Sequence, residues 1–293
     1  MTNNLPYHNS KTFRELIATI IKEHLANSCS YTWLQESCLL IGAQNNSIQL
    51  QVCFAAISRK IDKKIIQINS EQKIQLSTFL PGLFIEGWTL HRLCRMYILQ
   101  NLKEEEDKYC TEIGSLFTNA EMNELADLYS ALPVLAYPKH WIKFCEEGIR
   151  SNMGVVQEAI MYKNPFPAKY LSEAAWNQLV LKAFFTEKNI TLITGIDERA
   201  NSPLALTLID YAQERRAAKR SVNVQLWRLV APFIDDSNFV LINELFHSED
   251  EKYRQVAALV CSVSTYAPAK LLLDKMPELK TAINKNKLNW DTI

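Results

Sequence analysis

The chain has 293 residues with 32 basic and 32 acidic side chains, so its net charge is zero. Such a chain has no long-range attraction to nucleic acid, and we expect no nucleic-acid partner. A composition of 48% apolar and 22% charged residues excludes a disordered chain and a coiled-coil rod. The 7 glycines and 10 prolines are few, which favours long helices over a turn-rich β fold.

The sequence predicts a cytoplasmic protein. Residues 1–12 are polar and lack the apolar core of a secretory signal. No apolar run approaches the roughly 20 residues of a transmembrane segment, so we expect none. The seven cysteines are odd in number and never stand in a CxxC or similar metal-ligand spacing. Most have apolar neighbours, as Cys38 and Cys261 do, which predicts reduced thiols inside the core.

Helical periodicity dominates the first half of the chain. The pattern over residues 48–59 is apolar and leaves helix and strand open, and Ile65 to Ile68 is the best strand candidate. Thr118 to Glu121 has the form of a capping box that opens a helix. Pro81 and Gly82 interrupt a helix, and Gly42 is placed to end one. The predicted helices of this half cover 11–26, 33–41, 88–100, 103–117, 122–129, 141–150 and 153–161.

Capping signals mark the second half. The stretch Asn164 to Pro167 is predicted not to be helical, because proline restricts the residue before it and lacks a donor. Ser172 is a predicted N-cap, as is Ser202 ahead of Pro203, and Ser248 to Glu251 resembles a second capping box. The predicted helices here cover 173–185, 202–220, 226–230, 236–246 and 251–265, then a stretch from 270 that becomes polar and frayed.

These elements predict an all-α fold. It consists either of stacked helical hairpins, as in a HEAT-like α-solenoid, or of an irregular multi-helix bundle. The best boundary candidate is the connection over 129–140. We therefore predict an N-terminal helical region over 1–135 and a C-terminal helical region over 136–293, with one continuous domain as the alternative.

Motifs for cofactor, metal or common catalytic chemistry are missing from the sequence. The five histidines are scattered, and no HxxxH or HxH pair occurs. There is no glycine-rich phosphate loop, no GxSxG motif and no kinase signature. We therefore expect no metal, no cofactor and no catalytic residue set that local motifs would reveal.

One segment, residues 164–228, is dense in polar side chains placed among apolar positions. Buried polar groups must be paired, so the plainest interpretation is an ion-pair network that joins adjacent helices. The other interpretation is a polar pocket for a small molecule or for a partner's peptide. The candidate ligand- or partner-binding residues are Asn164, Lys169, Trp176, Asn177, Lys182, Asp197, Arg199, Asn201, Asp210, Glu214, Arg215, Trp227 and Arg228.

The same segment resembles the signature region of the EboA-domain family in the order and spacing of its motifs. Two positions depart from the family pattern, with Gln213 where histidine is usual and Arg216 where tryptophan is usual. The glutamine argues against acid–base catalysis at that position. The stretches that carry the resemblance are Asn164–Leu171, Trp176–Ala183, Gly195–Asn201, Asp210–Arg215 and Leu226–Phe233.

The resemblance implies a protein of the bacterial Ebo gene cluster, which is associated with traffic of secondary-metabolite precursors toward the periplasm. Its implied partners are other Ebo-cluster proteins, such as a membrane-bound UbiA-type prenyltransferase, and a small-molecule metabolite. A peripheral position at the inner membrane would follow. The resemblance indicates a pathway and not a reaction.

Three functional hypotheses remain open. The first is a non-enzymatic adaptor or metabolite-binding protein in which Arg199, Arg215 and Arg228 contact an anionic group, with Trp176 and Trp227 providing packing area. The second is a helical enzyme that acts on a prenylated or aromatic precursor through Asp197, Asp210 and Glu214. The third is a purely structural signature, with function in a groove elsewhere.

Overall fold

The computed structural model describes residues 11–25, 27–43, 47–103 and 105–293. Within these ranges the regular secondary structure is helical and no β-strand occurs, which confirms the all-α prediction. The chain forms two compact units, Met1–Leu179 and Val180–Ile293. The predicted boundary near residue 135 falls inside the first unit and stays a prediction, as does the solenoid arrangement.

Among its described residues, the first unit contains ten α-helices and the first half of an eleventh. The α1 helix buries the face that the periodicity predicts, because Phe13, Ile17, Ile20 and Ile21 recur at helical spacing. The helices are α1 (Lys11–His24), α2 (Ser28–Ala43), α3 (Ser47–Lys60), α4 (Ser70–Phe79), α5 (Leu90–Leu99), α6 (Glu106–Asn119), α7 (Met122–Ala131), α8 (Ile142–Arg150), α9 (Gly154–Met161) and α10 (Phe166–Tyr170).

The second unit begins within α11 and continues to the end of the chain. The predicted cap at Ser172 is confirmed, since its Oγ accepts a hydrogen bond from the Ala175 N–H at 3.2 Å. The helices are α11 (Glu173–Phe185), α12 (Ser202–Ala217), α13 (Leu226–Val230), α14 (Phe239–Phe246), α15 (Glu251–Val263), α16 (Ala267–Asp274) and α17 (Pro277–Asn284).

The strand prediction for Ile65 to Ile68 is wrong. This segment forms only an isolated antiparallel bridge, from Ile65 to Thr89, with the Ile66 N–H donating to the Trp88 carbonyl at 2.8 Å. A strand needs a partner of similar length, and residues 85–89 supply only a short one before α5 begins. The ambiguous stretch 48–59 is helical and belongs to α3, and Gly42 lies inside α2.

Three predicted helix starts are displaced. Thr118 lies in α6, where its hydroxyl donates to the Gly114 carbonyl, and the cap of α7 is Glu121. Asn201, not Ser202, caps α12, and Asp250, not Ser248, caps α15. In each of these last two, a carboxylate or amide oxygen accepts from a backbone N–H in the first turn of the helix, at 2.9 Å from Leu204 and 2.8 Å from Lys252. The Ser248 hydroxyl instead accepts from the Asp250 N–H, ahead of the helix.

Two further predictions need correction. Phe166 and Pro167 lie in the first turn of α10, where proline is tolerated because its missing N–H has no helical partner to lose. The residues after Asn284 are not a frayed tail, because Leu288 is buried and the Trp290 carbonyl accepts a hydrogen bond from Gln225 Nε2 at 2.6 Å. Long-range contacts of this kind leave no local trace in the sequence.

Candidate functional site

Asn164 stabilises the loop between α9 and α10. Its buried amide Nδ2 donates to the carbonyls of Tyr129, at 3.1 Å, and Ala159, at 2.9 Å. Its Oδ1 accepts from the Phe166 N–H at 3.0 Å. An asparagine that uses both ends of its amide in this way holds a loop in one conformation. The loop therefore presents α10 in a defined position.

A small cavity of about 200 Å³ lies in the first unit beside α10. Three prolines and two aromatic rings provide most of its wall, and Lys169 is its single charged neighbour. The Lys169 ammonium also lies 5.3 Å from the centre of the Tyr170 ring. The lining residues are Leu80, Pro81, Pro133, Pro165, Phe166, Lys169 and Tyr170. Four of them belong to the polar segment over residues 164–228, whereas the other three come from parts of the chain that sequence reasoning did not select.

The predicted residues of α11 are buried to different degrees. Trp176 is fully buried in the core of the first unit. Asn177, in the same unit, and Lys182, in the second unit, are partly exposed. The Trp176 indole therefore contributes packing area inside the protein.

The turn ahead of α12 is fixed by its own hydrogen bonds. The Asn201 side chain accepts from the Leu204 N–H at 2.9 Å and donates to the Arg199 carbonyl at 3.1 Å. Gly195 adopts a positive φ of 79°, a conformation that glycine takes without strain, and its carbonyl accepts from the Arg199 N–H. This turn leaves Asp197 half-exposed, with its carboxylate available to α13.

Arg228 on α13 binds the Asp197 carboxylate through two nitrogens. The Nε–Oδ1 distance is 2.6 Å and the Nη2–Oδ2 distance is 2.5 Å, a bidentate geometry. A second carboxylate, that of Asp291, accepts from Nη1 at 3.2 Å. The hydrogen bond to Asp197 raises the pKa of Arg228 further above its ordinary value, and the neighbouring carboxylate charges act in the same direction.

The remaining charged candidates lie on α12. Arg215 donates from Nε to the Ser221 carbonyl at 2.6 Å and from Nη1 to the Tyr211 hydroxyl at 3.3 Å. Its guanidinium therefore closes the loop that follows α12. Asp210 and Glu214 are exposed to solvent on this helix.

Trp227 is almost completely buried in the second unit, with 1% of its surface exposed. Arg216, one of the two departures from the family pattern, places its guanidinium 5.7 Å from the centre of the Trp227 ring. At this distance the contact is a cation–π interaction. Sequence reasoning missed Tyr211, Gln225 and Asp291. No local signal marks Gln225 and Asp291, since their partners lie 65 and 63 residues away, whereas Tyr211 stands one helical turn before Arg215.

The described residues contain no group of three or more His, Cys, Asp or Glu side chains that is arranged to hold a metal ion. A search of the same residues for a helix both long enough and apolar enough to cross a membrane also finds none.

Comparison with known proteins places the chain in a family. The family model described as metabolite traffic protein EboA matches residues 13–231, about three quarters of the chain. Comparison with curated proteins and with solved structures gives no match. The matched range contains the cavity beside α10 and the Asp197–Arg228 pair. The chain therefore belongs to the EboA family of metabolite-traffic proteins.

Proposed function

We propose that the protein is a non-enzymatic, helical adaptor or metabolite-binding component of an Ebo-type gene cluster. In this role it serves the traffic of secondary-metabolite precursors toward the periplasm. It acts in the cytoplasm and docks on other Ebo-cluster proteins, including a membrane-bound UbiA-type prenyltransferase. Membership of the metabolite-traffic family supports this role, as does a cavity that is lined in part by residues of the polar segment 164–228.

The cavity beside α10 is the observation that carries the proposal. Pro81, Pro133 and Pro165 make its wall stiff, because each proline has a fixed φ. The Asn164 amide holds the loop that leads into the cavity. A wall that does not have to be ordered on binding loses less entropy when a ligand enters, which favours affinity.

Size and lining define the chemistry of the proposed ligand. An apolar cavity of about 150 Å³ holds a benzene molecule, so 200 Å³ admits one aromatic ring or one branched alkyl group. A whole metabolite of ordinary size needs roughly 300 Å³ or more and would extend beyond the cavity. Lys169 at the wall suits a carboxylate or a phenolic oxygen on the inserted group. A prenylated or plain aromatic acid has both features.

The test combines thermal-shift measurements and native mass spectrometry on the full chain with a set of prenylated and unprenylated aromatic acids. A ligand at a hundredfold excess over its dissociation constant stabilises the native state by about 2.7 kcal/mol, which a thermal shift detects. We expect Lys169→Ala and Tyr170→Ala to lose this stabilisation. Lys143→Ala, which removes another exposed lysine of the same unit, is the matched control and retains it.

Two results separate the metabolite-binding form of the proposal from the adaptor form. A compound that stabilises the wild type but not Lys169→Ala supports metabolite binding at the cavity. Purification with an Ebo-cluster protein, and no response to any compound, supports an adaptor. If the chain binds neither a metabolite nor any protein of the cluster, the proposal is wrong.

The alternative of a helical enzyme gains no support from the three carboxylates on which it depends. Asp197 is bound by Arg228, and Asp210 and Glu214 face solvent. General acid–base chemistry requires such groups to converge on a substrate in a cleft. The other predicted binding residues remain part of the proposal, Arg199 and Arg215 as contacts to a partner or an anionic group, and the buried Trp176 and Trp227 as packing area inside the protein.

A further inference from the structure

Residues 290 and 291 of the second unit contact α13 and Gln225, the residue just before it. The Leu288 side chain is buried, the Trp290 carbonyl accepts from Gln225 Nε2 at 2.6 Å, and the Asp291 carboxylate accepts from Arg228 Nη1 at 3.2 Å. We call residues 288–291 the docked segment. The family match ends at residue 231, so the docked segment lies outside the matched range while Gln225 and Arg228 lie within it.

The two polar contacts together have the features of peptide recognition. One main-chain carbonyl is bound by a side-chain amide, and the next side chain, which is acidic, meets an arginine. Main-chain hydrogen bonds provide affinity in such interactions, and side-chain contacts at fixed spacing provide specificity. The surface formed by Gln225 and Arg228 therefore binds a main-chain carbonyl followed by an acidic side chain, which Trp290 and Asp291 supply here.

The acidic contact is the weakest part of this arrangement. Asp197 binds Arg228 through two short hydrogen bonds, whereas Asp291 makes one hydrogen bond that is longer, and 76% of its side chain is exposed. Exposed ion pairs contribute little to stability and exchange readily with solvent or with another anion. Asp197 therefore orients the guanidinium, and Nη1 remains the position at which one carboxylate can replace another.

Gln225 shows that the docked segment uses only part of the hydrogen-bonding capacity of the surface. Gln225 is 9% exposed, and its Oε1 has no hydrogen-bond partner among the residues that the structure describes. Buried amide oxygens in native proteins are nearly always paired. A bound peptide that places a donor here would satisfy Oε1 as well as Nε2, and would be bound better than the docked segment.

We infer that Gln225 and Arg228 form a recognition surface for a short acidic peptide of a partner protein, and that the chain's own residues 288–291 occupy it until the partner displaces them. The partner carries an aspartate or glutamate directly after the residue whose carbonyl Gln225 binds. Its apparent affinity is reduced by the fraction of molecules in which the docked segment is bound. The segment thus sets a threshold for binding of the partner.

The experiment measures binding of a fluorescent peptide with the sequence of residues 285–293 to the full chain, by fluorescence anisotropy. We compare the wild type with Asp291→Ala and with the double variant Leu288→Ala plus Asp291→Ala. If the docked segment is bound in nine of ten wild-type molecules, its release tightens apparent binding of the peptide about tenfold. Adding Arg228→Gln to either variant abolishes this gain.

The controls separate recognition from loss of structure. Asp274→Ala removes an exposed acidic residue that pairs with Lys280 in the same unit, and binds the peptide as the wild type does. A peptide with alanine in place of the aspartate fails to bind any variant. Circular dichroism confirms that every variant keeps its helical content.

Two outcomes of the binding experiment overturn the inference. One is failure of the peptide to bind either released variant while both remain folded. The other is displacement of the labelled peptide by benzoate at the same concentration as by unlabelled peptide, since the surface would then recognise a lone anion. Hydrogen exchange provides a second measurement. Displacement would also be contradicted if the amides of the docked segment exchange as slowly as those of α15, both in the wild type and in the two released variants.

Discussion

At the scale of single residues, Arg95 shows how this fold buries charge. Its side chain is 4% exposed, and its guanidinium donates to Asp127 at 2.7 Å, to Glu124 at 3.0 Å and to the Phe54 carbonyl at 3.2 Å. Arg92 donates to the other Asp127 oxygen at 2.9 Å. A buried charge is tolerated only when it is paired and hydrogen-bonded, and this cluster meets both conditions.

We predict that Asp127→Ala lowers the free energy of unfolding by about 3–5 kcal/mol, because it leaves Arg95 buried without its closest carboxylate. Urea denaturation followed by circular dichroism measures the loss. The matched control is Glu15→Ala, which breaks the exposed Lys11–Glu15 pair and costs less than about 0.5 kcal/mol. Equal losses in the two variants would contradict the argument from burial.

At the scale of elements, the N-terminus of α12 illustrates what local signals resolve. The sequence predicts a cap followed by a first-turn proline, and both features are present. The cap is Asn201, one residue before the predicted Ser202, because the amide oxygen of Asn201 reaches the Leu204 N–H. Because Asn201 and Ser202 are both good capping residues, the sequence leaves the start of the helix uncertain by one residue.

We predict that Asn201→Ala lowers the free energy of unfolding of the second unit by about 1 kcal/mol, the usual cost of a lost cap. Ser202→Ala changes it by less than about 0.5 kcal/mol, since alanine is a good helix former at an exposed position. Chemical denaturation of both variants checks the difference. A larger loss for Ser202→Ala than for Asn201→Ala would contradict this assignment and identify Ser202 as the cap.

At the scale of the whole molecule, thiols and a tyrosine that are neutral at physiological pH determine how the free energy of unfolding changes at alkaline pH. Burial raises the pKa of Cys38 and of Cys261 to about 12 and that of Cys110 to about 11. It also raises the pKa of Tyr97 to about 12. An unfolded thiol titrates near pH 8.5 and an unfolded tyrosine near pH 10, so between those values and the folded pKa of each group only the unfolded state releases the proton.

We predict that these groups leave the free energy of unfolding unchanged between about pH 7 and pH 8 and lower it as the pH rises toward 11. The folded pKa values are raised, so the native state binds more protons over this range, and each such thiol contributes about 1.4 kcal/mol per pH unit. Urea titrations at pH 7 to 11 in reductant measure the slope. Cys38→Ala makes it shallower, and Cys29→Ser, at an exposed thiol, leaves it unchanged. Equal slopes in both variants would contradict the prediction.

Much of the fold was predictable, whereas the contacts of the candidate site were not. The periodicity over 11–26 and the cap at Ser172 depend on neighbours within a few residues. The helix is confirmed over 11–24, with residue 26 outside the described residues, and the cap is confirmed as well. The residues of the 164–228 segment were selected for their polar character. The sequence could not show that Asn164 holds a loop or that Arg215 bonds the Ser221 carbonyl, because one composition serves either a structural or a binding role.

The sequence by itself determined the all-α class, most helix positions and membership of the family, because periodicity, capping residues and motif spacing are local properties of the chain. Only the tertiary structure decided which charges meet. Arg228 joins Asp197 and Asp291 across 31 and 63 residues, and Arg95 joins Asp127 across 32. Such pairs depend on which helices pack together. The sequence does not reveal this, because one apolar helix face could pack against many others.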